Sequence, residues 1–165
     1  MGHRALIGQV KPNESNIDFQ YVHWMLPEGM GAKALVNSVN TNELAQEFFN
    51  MIHGHNLGTI TDEDTVKRQK KYSEKYKYET SEYTRFSDAY IEILGSQDIY
   101  TYNSVDEAIN DKENWWLENI YLWDDGTWYV IDFRHGTFRK QLADYHSGKQ
   151  TINNDISLDD DMLPF

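Results

Sequence analysis

One stretch late in the chain constrains the fold more than any other. Residues 120–124 and 127–133 are two runs rich in β-branched and aromatic side chains, and Asp125-Gly126 lies between them. Asp-Gly tolerates the positive φ angles of a two-residue type I′ turn, which joins two paired strands tightly. The sequence therefore predicts a β-hairpin here, and the fold must contain antiparallel sheet.

Other strand-like runs are predicted along the chain. Residues 5–10 and 19–24 have the composition of strands and are separated by a polar turn. Residues 98–102 form another strand-like run. The stretch 81–94 fits a helix in part, and its later half also suits a strand. Residues 62–78 are polar, and we expect them to be helical or loosely ordered.

Helices are predicted between these runs. A short helix is expected around residues 34–39, after a Gly-containing break. Asn40 with Glu43 three residues later predicts a capping box for a second helix. A similar pair predicts a short helix over residues 104–109, and residues 139–145 are expected to form a last short helix.

These elements predict an α+β fold in a single compact domain over residues 1–146. We expect a small, mainly antiparallel sheet and two to four helices, followed by a flexible acidic tail over residues 147–165. A chain of 165 residues with 14% aromatic side chains is long enough to bury a substantial core.

Composition narrows the compartment and the chemistry. The chain has no cysteine, which excludes disulfides, thiolate metal sites and cysteine nucleophiles. Its mean hydropathy is -0.73, and no apolar run approaches the roughly 18 residues that a membrane span needs. The first residues lack the basic and apolar regions of a secretion signal. We therefore expect a cytoplasmic protein without a membrane partner.

The net charge indicates the kind of partner. The formal charge is -12, and residues 151–165 contribute four aspartates and no basic residue. Such a chain is repelled by phosphate at long range, which disfavours broad binding to duplex DNA. The charge favours basic partners, including proteins that themselves handle nucleic acid.

A basic, aromatic stretch interrupts this acidic chain. Aromatic rings offer stacking surfaces to unpaired bases while lysines follow the phosphate backbone, so the stretch is a candidate site for single-stranded nucleic acid. Two alternatives stay open: a solvated helix face balanced by nearby acids, or a surface that holds the acidic tail of the same chain. The candidate residues are Lys67, Arg68, Lys70, Lys71, Tyr72, Lys75, Tyr76 and Lys77.

No pattern in the chain predicts catalysis, a cofactor or a metal. His53 and His55 lie close together, but zinc needs a third or fourth ligand and the spacing nominates none. Neither a nucleophile elbow nor a phosphate-binding glycine loop is present. We therefore predict no catalytic residue, no metal site and no cofactor.

The printed sequence ends on three carboxylates followed by a short apolar run. The ring of Phe165 can enter an apolar pocket, its terminal carboxylate can pair with an arginine, and the aspartates can lie on a basic rim. This ending resembles the acidic C-terminal tip of bacterial single-stranded DNA-binding proteins (SSB), which recruits replication and repair enzymes. The residues predicted to bind a partner are Asp159, Asp160, Asp161, Met162, Leu163, Pro164 and Phe165.

A second resemblance covers parts of the body. The runs Gly2-His3-Arg4-Ala5-Leu6-Ile7, His23-Trp24 and Trp128-Tyr129-Val130 resemble segments of a group of small phage proteins. This resemblance implies a phage origin and a location in the host cytoplasm. It transfers no activity.

Together these features predict a phage-type, non-enzymatic adaptor or decoy that engages host SSB-interacting replication and repair proteins. Two alternatives stay open. The protein could be a divergent single-stranded DNA-binding protein, or an acidic DNA mimic that inhibits a host nuclease or defence system. The sequence does not indicate an oligomeric state.

Overall fold

A computed structural model describes residues 3–147 of the chain, with the side chains at positions 114 and 115 excepted. Of the predicted tail, residues 147–165, only Ser147 is described, and the remainder lies outside the described residues. The α+β fold class is confirmed, and the sheet is mixed and mostly antiparallel.

Nine strands form one sheet in the described residues. Their order across the sheet is β4-β5-β3-β2-β1-β7-β8-β9, and β6 pairs with β2 beside this path. The strands are β1 (Ala5–Val10), β2 (Ile17–Trp24), β3 (His55–Asp62), β4 (Tyr83–Phe86), β5 (Ala89–Ser96), β6 (Tyr100–Tyr102), β7 (Asn119–Asp124), β8 (Thr127–Asp132) and β9 (Lys140–Gln141).

Four α-helices of six residues or more accompany the sheet in the described residues, with one single-turn helix and one 3₁₀-helix. The helical segments are α1 (Met30–Ser38), α2 (Asn42–Ile52), α3 (Glu63–Tyr76), α4 (Val105–Asn110), the single turn α5 (Lys112–Trp115) and the 3₁₀-helix η1 (Leu142–His146). The last segment corrects our prediction for residues 139–145, because this stretch divides into the short strand β9 and η1 rather than forming one helix.

Two parallel pairings make the sheet mixed. β1 lies parallel to β7, and β2 lies parallel to β3, while the other named strand pairs are antiparallel. The predicted hairpin is confirmed as β7 and β8, with Asp125 at φ 45° and Gly126 at φ 90°. These positive φ values are the ones a type I′ turn requires.

The sheet separates two apolar cores. Alternate side chains of a strand point to opposite faces, so Ala5 and Ile7 lie on one face and Leu6 lies on the other. The first face is covered by α1 and α2, which contribute Leu35 and Phe48. The second face packs against Ala108 of α4 and against neighbouring apolar side chains. Central strand β7 is buried on both faces.

The cap of helix α2 lies one residue later than predicted. The hydroxyl of Thr41 accepts a hydrogen bond from the backbone N–H of Leu44 at 3.1 Å. Asn40 instead donates its side-chain amide to the carbonyl of Asn37. The Asn40 capping box was therefore wrong, whereas Ser104 does cap α4 by accepting from the N–H of Glu107.

Strand β3 was not predicted, although it lies between β2 and β5. Its pairing with β5 shifts register between Asn56 and Leu57 and again between Leu57 and Ile60. These irregularities break the alternation of buried and exposed residues on which sequence-based strand prediction depends. Among the described residues, no helix is long and apolar enough to cross a membrane.

Candidate binding surface

The basic, aromatic stretch forms most of helix α3. The carboxylate of Asp62 accepts a hydrogen bond from the N–H of Thr65 at 3.1 Å, which caps the helix. Glu63 and Asp64 occupy the first turn, where negative charge is favourable to the helix dipole. The helix ends at Lys77, which has a left-handed φ of 58°. The prediction that residues 62–78 are helical or loosely ordered is thereby sharpened to a helix.

Helix α3 packs against the sheet through one narrow side. Val66 is its only buried residue. The hydroxyl of Tyr83 in β4 donates to the side chain of Gln69 at 2.9 Å and holds the same side of the helix to the sheet edge. The rest of α3 faces outward, which is unusual for a helix of 14 residues in a domain of this size.

The exposed side of α3 carries two parallel rows of side chains. Residues four apart lie above one another on the surface of a helix. One row of this kind consists of three lysines, and the row beside it consists of one arginine followed by two tyrosines. We call the first set the lysine row and the second the tyrosine row. The lysine row is Lys67, Lys71 and Lys75; the tyrosine row is Arg68, Tyr72 and Tyr76.

The two tyrosine rings are stacked and largely exposed. Their centroids lie 5.3 Å apart with an interplanar angle of 24°. Tyr72 is 58% exposed and Tyr76 is 57% exposed. The ammonium of Lys75 lies 5.3 Å from the centroid of the Tyr76 ring, which places a cation beside the stack. The two large rings therefore lie exposed in a cationic setting and not in the core.

The cations of this stretch are largely unneutralised. Lys67 pairs with Glu63 at 3.5 Å, one turn earlier. In residues 3–147 none of the other five basic residues of the stretch makes an ion pair. Six cations against four carboxylates give residues 63–79 a net charge of +2 within a chain of -12. The charge is therefore distributed very unevenly over the molecule.

Six of the eight predicted residues of the stretch lie in the two rows. Lys70 lies on a different side of α3, beside the edge that packs on the sheet, and Lys77 follows the last turn. Exposed Tyr78, a further aromatic residue of the same stretch, follows Lys77. The other predicted site, residues 159–165, lies outside the described residues.

A cluster of titratable groups that sequence reasoning missed surrounds Asp132. Its carboxylate, only 1% exposed, accepts hydrogen bonds from the guanidinium of Arg134 at 2.7 and 2.9 Å. It also accepts one from the hydroxyl of Tyr145 at 3.1 Å. Arg134 reaches on to both carboxylate oxygens of Glu28 at 3.0 and 3.1 Å. Asp132 shares the inward face of β8 with Trp128 and Val130, so period-two spacing was a usable signal for its burial.

This cluster joins three segments of the chain, and its central carboxylate is not exposed. Burial alone would raise the pKa of Asp132, but the hydrogen bonds and charge of Arg134 hold that pKa below its ordinary value. Burial, followed by the charge of Asp132, raises the pKa of the Tyr145 hydroxyl. Because four donor groups already make hydrogen bonds to the Asp132 carboxylate, it is poorly placed to accept a substrate proton. The cluster links β8, η1 and the turn around Glu28.

His146 adds a second tie to the same turn. Its ring nitrogen Nε2 lies 2.9 Å from the carbonyl oxygen of Pro27. Burial is the main cause that lowers the pKa of His146, and the charge of Lys33 acts in the same direction. Within the described residues, no three His, Asp or Glu side chains are grouped so as to hold a metal ion.

Lowering the pH should weaken the contacts of His146 and Asp132 in two steps. The folded chain resists protonation of His146, so stability falls as the pH drops below the ordinary histidine value of 6.5. The fold holds the pKa of Asp132 below its ordinary value of 3.8, so the ionised carboxylate stabilises the protein at pH values above 3.8. This stabilisation is lost as the pH falls through the folded-state pKa. Urea unfolding between about pH 7.5 and pH 5.5 should show a smaller loss for His146→Gln than for the wild type. Equal losses in the two proteins would contradict the first step.

Comparison with known proteins assigns no family. No protein-family model, curated protein or solved structure matches this chain.

Proposed function

We propose that this protein is a phage-type, non-enzymatic adaptor or decoy that acts in the host cytoplasm. It engages host DNA replication and repair proteins that recognise SSB tips, through residues 159–165. The single observation that carries the proposal is the order of side chains in Asp159-Asp160-Asp161-Met162-Leu163-Pro164-Phe165, with charge first and apolar groups last. In this order the aspartates guide the first encounter with a basic partner, and the apolar residues then anchor the complex.

The energetics of such a segment fit weak, specific docking. Burying the ring of Phe165 stabilises a complex by roughly 1.5–3 kcal/mol. A charge-assisted hydrogen bond to its carboxylate adds about 1.5–3 kcal/mol. Pro164 restricts the free chain and lowers the ordering cost, and burial of Leu163 contributes further. We expect affinities around the micromolar range, which corresponds to about -8 kcal/mol and therefore also requires contacts from the other docking residues.

The chain is held to the folded domain up to residue 146, before this segment begins. Leu142 of η1 is fully buried. Tyr145 and His146 are bonded to Asp132 and to the Pro27 carbonyl, so the chain is anchored up to the end of η1. The proposed docking residues begin 13 positions after His146. Their partner contacts need not disturb the packing of the domain.

A capture experiment tests the proposal. The protein, expressed so that it ends at Phe165, is immobilised and exposed to lysate from Gram-positive bacteria. Deletion of Pro164-Phe165, or addition of one residue after Phe165, should abolish recovery of replication and repair proteins, because only a free carboxylate beside the ring fits the expected pocket. Equal recovery by all three proteins would refute the proposal. The one-residue extension is the matched control, since it leaves every native side chain in place.

A further inference from the structure

We infer that the lysine and tyrosine rows of α3 bind single-stranded DNA. This activity goes beyond the proposed adaptor function and is independent of residues 159–165. The two rows run along the same exposed side of one helix, and the rings of Tyr72 and Tyr76 are open to solvent. A ligand of alternating charge and flat apolar groups can use both rows together.

Single strands have this combination of groups. Their unpaired bases stack on aromatic rings, and their phosphates follow cationic side chains. An α-helix rises 1.5 Å per residue, so members of each row recur about every 6 Å. Each turn of α3 therefore presents one residue of the lysine row beside one residue of the tyrosine row. Because the rings of Tyr72 and Tyr76 stack on each other, bases stack on the outward faces of this pair, while Lys71 and Lys75 contact the backbone.

Local charge decides whether an acidic protein can hold a polyanion. Residues 63–79 have a net charge of +2, although the chain as a whole has -12. At physiological salt, charges more than about 8 Å apart are largely screened. The excess of cations over carboxylates in this segment therefore acts on a bound strand more strongly than the carboxylates of the rest of the chain do. Long-range repulsion remains at low ionic strength and limits the encounter rate.

The geometry of α3 favours a single strand over a duplex. Bases in a duplex are stacked on one another and do not offer their faces to protein rings. RNA differs from DNA by its ribose 2′-hydroxyl, so an RNA oligonucleotide is the comparison ligand in the test.

Fluorescence anisotropy with a labelled oligo-dT of about 15 nucleotides tests the tyrosine row. Tyr72→Leu/Tyr76→Leu should weaken binding by roughly a hundredfold, because loss of each of the two stacking rings costs a factor of about ten. Tyr72→Phe/Tyr76→Phe keeps the rings and removes only the hydroxyls. It should bind within about twofold of the wild type. Both variants change exposed positions, and far-ultraviolet circular dichroism verifies that α3 is retained.

The lysine row has a charge-matched control elsewhere on the surface. Lys71→Gln/Lys75→Gln should weaken binding and reduce the slope of log affinity against log salt by about 1.4, since each single-strand phosphate contact contributes about 0.7. Lys11→Gln/Lys140→Gln removes the same charge from β1's end and from β9. It should leave the slope unchanged. A similar effect of both pairs would show that only net charge matters, and would overturn the assignment to α3.

Other outcomes also overturn the inference. No measurable binding of oligo-dT at roughly 50 mM salt would do so, because the local attraction between the α3 cations and the phosphates is only weakly screened there. Tighter binding of a duplex, or of oligo-rU, would contradict the assignment to single-stranded DNA. Deleting Pro164-Phe165 should not weaken oligo-dT binding. A failure to bind oligo-dT would therefore leave the adaptor proposal unaffected. A failure to capture host proteins would likewise leave the inference about α3 unaffected.

Discussion

Replacing Gly31 with alanine is expected to destabilise the fold by about 3 kcal/mol or more. Gly31 is buried in α1, where the helix crosses strand β3. A Cβ atom at this position would lie 1.7 Å from the carbonyl oxygen of Ile60 and 2.6 Å from its carbonyl carbon. These are backbone atoms of a central strand, so they cannot rotate away as a side chain can. The helix must move off the sheet, which opens the first core.

Thermal unfolding followed by circular dichroism measures this effect. For a domain of this size, a loss of 3 kcal/mol lowers the midpoint by roughly 6–12 °C. Gly29→Ala is the nearby comparison, since its Cβ would meet the carbonyl oxygen of Leu26 at 3.3 Å. We expect that variant to change stability by less than about 1 kcal/mol. An unchanged midpoint for Gly31→Ala would mean that α1 does not approach β3 this closely.

Removing the side chain of Trp128 should have an effect of similar size. Its indole N–H donates to the carbonyl of Val39 at 3.0 Å, which joins the hairpin to the end of α1. Its ring packs against Phe48, Phe49 and Trp123 with centroid distances of 5.6 to 6.3 Å. Trp128→Ala leaves a large cavity and an unpaired carbonyl. The expected loss is about 3–5 kcal/mol.

The same substitution at another tryptophan provides the control. Trp116 is 74% exposed, so Trp116→Ala should change stability by about 0.5 kcal/mol or less. Trp128→Phe separates packing from hydrogen bonding, because it keeps a ring in the core but cannot donate to Val39. Chemical unfolding of the three variants should therefore rank them from Trp128→Ala through Trp128→Phe to Trp116→Ala. Similar losses for Trp128→Ala and Trp116→Ala would refute the packing described for the hairpin.

Elements that depend on local chemistry were predictable from the sequence. The hairpin follows from Asp125-Gly126 and its flanking strands, and Ser104 caps α4 as expected. Strand β3 was missed because its place is set by pairing with distant segments and by two register shifts. The sheet was predicted to be small for the same reason, since residues 81–94 gave no decisive pattern. Non-local pairing has no signature within a short window of sequence.

The candidate surfaces were predictable to different degrees. Spacing four residues apart is visible in the sequence, so the lysine and tyrosine rows follow once α3 is known to be a helix. The stacking of Tyr72 on Tyr76 depends on side-chain torsions that sequence does not reveal. The partners of Asp132 come from positions 2 to 104 residues away along the chain, at Arg134, Tyr145 and, through Arg134, Glu28. Only the fold brings them together.

The most direct measurement of the adaptor proposal is competition by the isolated segment. Host proteins captured on the immobilised full chain are challenged with two peptides of residues 155–165, one ending in a free carboxylate and the other in a carboxamide. The proposal predicts that the free-acid peptide elutes replication and repair proteins and that the carboxamide peptide does so at least about tenfold less effectively, because it lacks the charged acceptor. Equal elution by the two peptides, or retention of those proteins against both, would contradict it.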